Sequence, residues 1–209
     1  MPGNATVKQN GKTIGKISLK RPSYNDVAQN YLSIFPTPGS VDPVFYAYFY
    51  IGGQVYKEHL RDPKAYGNAC ALRVSYALNI SGMRIPEKVS VLPVTRNGGN
   101  RILRGGKDYV PDGDKLYYIY SVENMISFLE YAWGKPDKSI NVPKGVSQLD
   151  SLKKMNKKGV IIFYISGYND ATGHATIWDG EKCLDGSTYY DPATHPNQTL
   201  TYIKFWELK

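Results

Sequence analysis

Residues 67–82 read GNACALRVSYALNISG, and they contain one of only two cysteines in a chain of 209 residues. Apolar residues recur in this stretch at the spacing of one helical face, which predicts a helix from Asn68 to about position 80. Asn68 is a favourable N-cap, and Gly82 stands where glycine ends many helices. Cys70 therefore lies at a predicted helix N-terminus, where free N–H groups and the helix dipole stabilise a thiolate.

Three roles are open to Cys70: a buried apolar residue, half of a disulfide, or a nucleophile. A single cysteine on a helix is more often packed in a core than reactive. The second cysteine, Cys183, is expected to be a packed small residue, because a disulfide between the two would block the thiol. Nucleophilic catalysis also needs a base and a group that orients the base.

The chain offers three histidines as the base. His59 lies in the charged stretch KEHLRD and His195 in the proline-containing loop ATHPNQ, and both patterns predict solvated side chains. His174 opens the predicted strand GHATIW, directly after a polar loop. A side chain at that position projects from the end of a strand into a site, so His174 is the predicted base.

The group that orients His174 is expected in the segment KCLDG, which we predict as the next strand. Asp179-Gly180 is the signature of a two-residue hairpin turn. In this register three pairs face each other: Trp178 with Glu181, Thr176 with Cys183, and His174 with Asp185.

Two aspartates compete for the role. Directly opposite residues have Cβ atoms about 4.5–5.5 Å apart, so Asp185 is within reach of His174, whereas Asp179 would lie about 17 Å along the strand. The predicted triad is therefore Cys70, His174 and Asp185, in the papain-like order. The choice depends on the turn, because a slip of one residue moves Asp185 to the other face.

The remaining segments predict an α+β fold with an antiparallel sheet, because helices come first and a run of neighbouring strands follows. Three further helices are predicted, in RPSYNDVAQNYLSIFP with Ser23 as its cap, in SVENMISFLEYAWG, and near residues 149–155. Further strands are predicted in FYAYFYIGGQV (45–55), GVIIFYISG and LTYIKFWEL. Residues 93–114 predict a long irregular loop. A single domain over 21–209 would follow a basic arm or hairpin at 1–20, with Asn10-Gly11 as its turn.

A net charge of +8 indicates a polyanionic partner or simple solubility. The basic residues are scattered and no RNA-binding aromatic motif is present, so nucleic acid is not expected. The first residues contain no apolar leader, and no run approaches the roughly 18 apolar residues of a membrane span, so we expect neither a signal peptide nor membrane insertion. Two cysteines without C-x-x-C argue against structural zinc, and no cofactor is expected.

Residues 68–82 resemble a motif of a known family, the fourth family of type VI secretion amidase effectors. The motif reads N-x-C-A-x-R-x-S-x-A-L-N-x-S-G, and NACALRVSYALNISG fits it throughout. The similarity covers roughly residues 21–209, with further matches in RPSYNDVAQNY, Gly52-Gly53-x-Val, YIYSVENMISFLEYAWGKPD, GVIIFYISG and GHATIWDG-x-x-C-L-D.

The resemblance implies a papain-like fold of the NlpC type, with the catalytic cysteine at a helix N-terminus. It implies that the family's catalytic residues fall on Cys70, His174 and Asp185. The implied activity is cleavage of the γ-D-glutamyl–meso-diaminopimelate amide bond in peptidoglycan stem peptides. The implied partners are the type VI secretion machinery and a dedicated immunity protein, and the implied site of action is the periplasm of a rival bacterium.

Carboxylates on such a substrate would give the positive charge of the chain a purpose. Arg73 follows Cys70 by about one helical turn, and it is a candidate contact for a substrate carboxylate. A solvated surface arginine is the more common outcome at such a position.

Two other functions stay open on the residues alone. One is a non-catalytic domain that binds cell wall or nucleic acid through its positive charge, with the three residues together by coincidence. The other is a related cysteine acyltransferase or deamidase, which the same triad supports. Analysis of products distinguishes them, because only hydrolysis leaves two free peptide fragments.

Overall fold

The computed structural model describes residues 4–9, 12–18, 20–87, 103–105, 116–168 and 171–209. A four-stranded antiparallel sheet lies at its centre, with helices packed against both of its faces. In chain order the elements are β1 (Asn4–Gln9), β2 (Lys12–Ser18), α1 (Tyr24–Ser33), α2 (Pro43–Ile51), α3 (Gly53–Arg61), α4 (Cys70–Ile80), β3 (Leu103–Arg104), β4 (Tyr117–Tyr118), α5 (Val122–Trp133), β5 (Lys138–Asn141), α6 (Leu149–Lys154), β6 (Gly159–Ser166), β7 (Gly173–Trp178) and β8 (Thr199–Glu207).

The strand order in the central sheet is β5-β8-β6-β7. β6 pairs antiparallel with both β7 and β8, and nearly all of it is buried. Alternate residues of β6 enter two different cores: Val160 and Ile162 pack with α1, α4 and α5, whereas Ile161 and Phe163 pack with α6 and β8. Burial on both faces explains why the sequence of β6 is a nearly continuous apolar run. The predicted antiparallel sheet is confirmed.

Local capping signals set the ends of α1 and α5 where the sequence predicts them. The Ser23 side chain accepts from the backbone N–H of Asp26 at the start of α1, and Ser121 does the same for Asn124 at the start of α5. Gly134 ends α5 with a φ of 82°, in the left-handed region that favours glycine.

α4 is the most deeply buried helix, with nine of its eleven residues buried. The expected N-cap is wrong by one residue: Ala69, not Asn68, occupies the N-cap position. Gly82 ends the helix as predicted, with a φ of +92° and its N–H donated to the carbonyl of Asn79. α4 packs along β7, which is the edge strand of the sheet.

The predicted strand over 45–55 is wrong, because this segment forms α2 and the start of α3. The Asp42 side chain accepts from the N–H of Phe45, and Pro43 occupies the first turn, so a local cap outweighs the strand preference of the aromatic residues. Gly52, with a φ of 71°, separates the two helices.

Two predicted segments fall largely on residues that the structure does not describe. Most of the predicted loop at 93–114 lies outside the described residues; of its described part, Leu103–Arg104 form β3, which pairs with β4. At the other end of the chain β1 and β2 pair antiparallel, so the predicted hairpin forms, although Asn10 and Gly11 lie outside the described residues. The division of the chain at residue 20 stays a prediction. No described helix is long and apolar enough to cross a membrane.

Candidate active site

Cys70 is the first residue of α4, and its side chain is partly exposed although the helix behind it is buried. Among the described residues no side chain caps the N-terminus of α4. The backbone N–H groups of Ala71 and of Ala175, on the neighbouring β7, hydrogen-bond the Cys70 sulfur instead. The positive end of the helix dipole therefore points at a thiol that solvent can reach.

The structure brings Cys70, His174 and Asp185 together. The Nε2–H of His174 donates to Asp185 Oδ2 at 2.7 Å, and the imidazole also hydrogen-bonds the side chain of Cys70. Because Nε2 is held by Asp185, the nitrogen left for Cys70 is Nδ1. The His174 and Asp185 side chains are only 16% and 8% exposed, so their contact is shielded from solvent.

Asp185 does not reach His174 through the predicted hairpin register. Cys183 faces Trp178 rather than Thr176, and the N–H of Leu184 donates to the carbonyl of Ile177, so the loop is two residues longer than expected. The segment KCLDG contributes one isolated bridge instead of a strand.

Asp179 explains the longer loop. Its Oδ1 accepts from the N–H groups of both Glu181 and Lys182, and its own N–H donates to the carbonyl of Lys182. These bonds close a turn over 179–182 rather than at Asp179-Gly180. A register change of two residues keeps every side chain on its face, so Asp185 stays on the side of His174.

Both oxygens of the Asp185 carboxylate are held. Oδ1 accepts from the backbone N–H of Ser187 at 3.0 Å and from its hydroxyl at 2.7 Å. Oδ2 accepts from His174 and from the Tyr31 hydroxyl, at 3.3 Å. Sequence reasoning missed Ser187 and Tyr31, since neither carries a recognisable catalytic motif.

The electrostatics of the three residues favour a thiolate beside an imidazolium. Burial alone would raise the pKa of Cys70, but the hydrogen bond and positive charge of His174 and the backbone donors outweigh burial, so the pKa lies below its ordinary value. Burial alone would lower the pKa of His174, and its hydrogen bonds to Asp185 and Cys70 raise that pKa to about 9. Burial would raise the pKa of Asp185, yet His174 and Ser187 hold it well below its usual range.

The other two histidines are not the solvated side chains that the sequence predicts. His59 is 9% exposed, stacks on Tyr48 with ring centroids 4.5 Å apart, and hydrogen-bonds the carbonyl of Tyr66 through Nδ1. His195 is partly buried and stacks on Tyr189 at 4.3 Å, and Tyr189 packs on His174 at 4.8 Å. His195 is therefore one ring away from the proposed base.

Arg73 is buried rather than solvated, with 8% of its surface exposed. Its Nη2 donates to the carbonyl of Pro43 at 2.7 Å, and its guanidinium lies over the ring of Phe35 at 4.4 Å. These contacts join α4 to the segments at the end of α1 and the start of α2. A contact between Arg73 and a substrate carboxylate stays a prediction.

Cys183 is a packed small residue, as expected, with 1% of its surface exposed among Phe163, Trp178 and Tyr190. Both cysteines are free thiols. In the described part of the chain no three His, Cys, Asp or Glu side chains are grouped so as to hold a metal ion. The chemistry available at the site is that of a thiol, an imidazole and a carboxylate.

Comparison with protein families identifies the chain. The family described as type VI secretion system (T6SS), amidase effector protein 4, matches residues 66–206. The chain belongs to this family. The predicted enzyme class is thereby confirmed: the chain is an amidase effector of the type VI secretion system, in a family of cysteine-type peptidoglycan hydrolases. No curated protein sequence matches the chain.

Solved structures of other members of the T6SS amidase effector 4 family have the same fold. One is from the type VI effector–immunity complex Tae4–Tai4 of Salmonella Typhimurium, with 27% identity, a TM-score of 0.67, and 91% of this chain and 100% of that chain covered. A second, from the Tae4–Tai4 complex of Enterobacter cloacae, has 29% identity, a TM-score of 0.66 and coverages of 91% and 100%. The effector Tae4 of Enterobacter cloacae alone has 28% identity, a TM-score of 0.65 and coverages of 92% and 100%.

These similarities confirm the predicted fold class. Helices packed on an antiparallel sheet, together with close matches to structures of the effector 4 family, identify a papain-like fold of the NlpC type. The family match at 66–206 begins after α1, α2 and α3, whereas the structural matches cover about nine-tenths of the chain.

Proposed function

We propose that the chain hydrolyses the γ-D-glutamyl–meso-diaminopimelate amide bond of peptidoglycan stem peptides, with Cys70, His174 and Asp185 as its catalytic residues. The observation that carries the proposal is the hydrogen-bonded series from Cys70 through His174 to Asp185, at the N-terminus of a buried helix. Family membership supplies the amide bond and the peptidoglycan substrate.

In the first half of the reaction the Cys70 thiolate attacks the carbonyl carbon of the γ-D-glutamyl amide. A C–S bond forms, and the carbonyl π electrons move onto oxygen, where backbone N–H groups near the start of α4 stabilise the negative charge. When the intermediate collapses, the C–N bond breaks, and the His174 imidazolium gives its proton to the leaving amine of diaminopimelate. A thioester between D-glutamate and Cys70 remains.

In the second half neutral His174 accepts a proton from water as that water attacks the thioester carbonyl. Collapse of this second intermediate breaks the C–S bond, returns the thiolate–imidazolium pair, and releases the D-glutamyl carboxylic acid, which loses its proton to solvent. Asp185 accepts the Nε2–H of His174 throughout, so it fixes the imidazole orientation and stabilises its charged form.

The test is product analysis on defined muropeptides. Purified protein should convert a diaminopimelate-containing tetrapeptide into a fragment ending in D-glutamate and a free diaminopimelyl-D-alanine fragment, detected by mass spectrometry. An otherwise identical muropeptide with lysine in place of diaminopimelate tests whether the second carboxylate is recognised, and it should be cleaved at least about tenfold more slowly. An intact stem peptide in which a carboxamide has been hydrolysed to a carboxylate, with release of ammonia, would indicate a deamidase. An adduct with an added amine would indicate an acyltransferase, and unchanged substrate would overturn the amidase assignment.

The rate of hydrolysis should show a bell-shaped dependence on pH, because the reactive form combines the Cys70 thiolate with the His174 imidazolium. The rate rises as Cys70 loses its proton, at a pH below that of an ordinary thiol near 8.5, and it falls as His174 loses its proton at about pH 9. Alkylation of Cys70 by iodoacetamide should show the same acid limb but no alkaline fall, since alkylation needs no proton donor. An alkylation midpoint equal to that of a free thiol would contradict the ion pair.

We also propose that the chain is delivered by the type VI secretion machinery into the periplasm of a target bacterium, where the stem peptides lie. The solved complexes of family members support a cognate immunity protein as its inhibitor, since the Salmonella and Enterobacter effectors are found with Tai4. Co-purification with a Tai4 protein, and loss of hydrolysis when that protein is added, would test this partner. Hydrolysis that continues at full rate in a stable complex would contradict the inhibitory role.

A further inference from the structure

We propose that Tyr31 is a positioning residue of the active site: its hydroxyl fixes the Asp185 carboxylate, and through it the His174 imidazole. The inference rests on the proposed cysteine amidase function. It assigns a task to α1, which precedes the residues matched by the family.

The hydroxyl of Tyr31 lies 3.3 Å from Asp185 Oδ2 and 3.1 Å from Thr176 Oγ1. A carboxylate only accepts hydrogen bonds, so Tyr31 must donate to Asp185. The single hydroxyl proton of Tyr31 is then used, and Thr176 must donate to Tyr31. The protons are therefore ordered from Thr176 through Tyr31 to the carboxylate.

Water cannot replace these donors easily, because Tyr31 and Thr176 are both fully buried. Burial, and after it the negative charge of Asp185, raises the pKa of Tyr31 far above its ordinary value. The tyrosine hydroxyl therefore keeps its proton, and its donor role, across the working range of pH.

Tyr31 and Ser187 connect the Asp185 carboxylate to different parts of the fold. Ser187 is two positions from Asp185, so its two hydrogen bonds fix the carboxylate only within its own turn. Tyr31 is 154 positions away, on a helix packed against α4. The hydrogen bond from Tyr31 therefore fixes the position of the carboxylate relative to α1 and α4, and α4 carries Cys70.

The position of the Tyr31 ring is itself well defined. It meets the ring of Phe35 edge-on at 5.4 Å, and its neighbours are fully buried: Val27 on α1, and Ile34 at the C-cap of that helix. A fixed ring gives its hydroxyl a fixed place, which is the requirement for orienting a second side chain.

Tyr31→Phe removes the hydroxyl and keeps the ring, and it should lower kcat about 10- to 50-fold while changing KM less than about twofold. The decisive measurement is a double-mutant cycle with Asp185→Asn. If Tyr31 acts through the carboxylate, Tyr31→Phe should cost less than about twofold in kcat in the Asp185→Asn background. An equal loss of kcat in both backgrounds would overturn the positioning role.

A second pair of variants separates positioning from stability. Tyr31→Phe alone leaves the buried Thr176 hydroxyl without its partner, whereas Tyr31→Phe with Thr176→Val removes both polar groups. The double variant should regain thermal stability but not kcat; recovery of both would show that Tyr31 is only structural.

Tyr24→Phe is the matched control on the same helix, since the Tyr24 ring lies against Lys158 rather than Asp185. It should keep kcat within about twofold of wild type. If it lowers kcat as much as Tyr31→Phe does, the effect belongs to α1 as a whole and the inference fails. A wild-type rate in Asp185→Asn would overturn the triad itself, and the role of Tyr31 with it.

Discussion

Cys70→Ala is expected to lower hydrolysis of the muropeptide by about 10⁴-fold or more, because it removes the thiol that His174 hydrogen-bonds. The fold should survive, since the side chain is partly exposed and only a sulfur atom is lost. The measurement is single-turnover cleavage followed by mass spectrometry, with thermal unfolding recorded on the same samples. Binding of the uncleaved muropeptide should persist, which separates an enzyme from a non-catalytic cell-wall binder.

Cys183→Ala is the matched control for the loss of a thiol. Cys183 is buried in the core with Phe163, Trp178 and Tyr190, so its removal should cost about 1 kcal/mol of unfolding free energy and leave kcat within about threefold. Substantial cleavage by Cys70→Ala, or complete loss of cleavage in a folded Cys183→Ala, would contradict the assignment of Cys70 as the nucleophile.

Gly173→Ala is expected to damage both stability and catalysis. A Cβ at position 173 would lie 2.1 Å from the carbonyl oxygen of Phe163, which belongs to the backbone of β6 and cannot turn aside. β7 must move away from β6, at a cost of about 3 kcal/mol, and it carries the adjacent His174 with it. A shift of about 1 Å in His174 should reduce kcat by about 10²-fold per folded molecule.

Gly159→Ala separates the two effects. A Cβ there would lie 2.0 Å from the carbonyl oxygen of Trp206, at the end of β6 that pairs with Trp178 rather than with the catalytic end of β7. Its loss of stability should match that of Gly173→Ala, but kcat per folded molecule should stay within about threefold of wild type. Equal kcat losses in the two variants would show that His174 is not displaced specifically. Circular dichroism during thermal unfolding gives the folded fraction needed for both comparisons.

Local signals in the sequence sufficed where a helix begins or ends on its own capping residue. Ser23, Ser121 and Gly134 act through bonds to residues no more than four positions away, so they are readable without the fold. The aromatic run at 45–55 shows the converse case. Its composition favours a strand, and the cap at Asp42 with burial against α4 makes it a helix.

Cys70, His174 and Asp185 lie together as predicted, although the predicted hairpin register is wrong. The register error is two residues, an even number. The side chain of Asp179 lengthens the loop by two, and alternation along a strand is unchanged by two. An odd error would have placed Asp185 on the other face.

Partners that come from distant parts of the chain could not be predicted from the sequence. The contact of Tyr31 with Asp185 spans 154 positions, and the stack of His195 on Tyr189 depends on how one loop folds back. No fixed separation along the sequence predicts either contact. The buried state of Arg73 has the same origin, since its partners Phe35 and Pro43 belong to other elements.

The hydrogen bonds around His174 also determine when during folding the thiol becomes reactive. Cys70 and His174 are about a hundred positions apart, and closing so long a loop requires that α4 has docked on the sheet. Before that contact forms, the hydrogen bond and positive charge of His174 cannot lower the pKa of Cys70, and at neutral pH only a few per cent of an ordinary thiol is ionised. In an unfolded chain the Cys70 thiol therefore reacts slowly with amides and electrophiles. Hydrolytic activity begins only after these distant parts of the chain have come together.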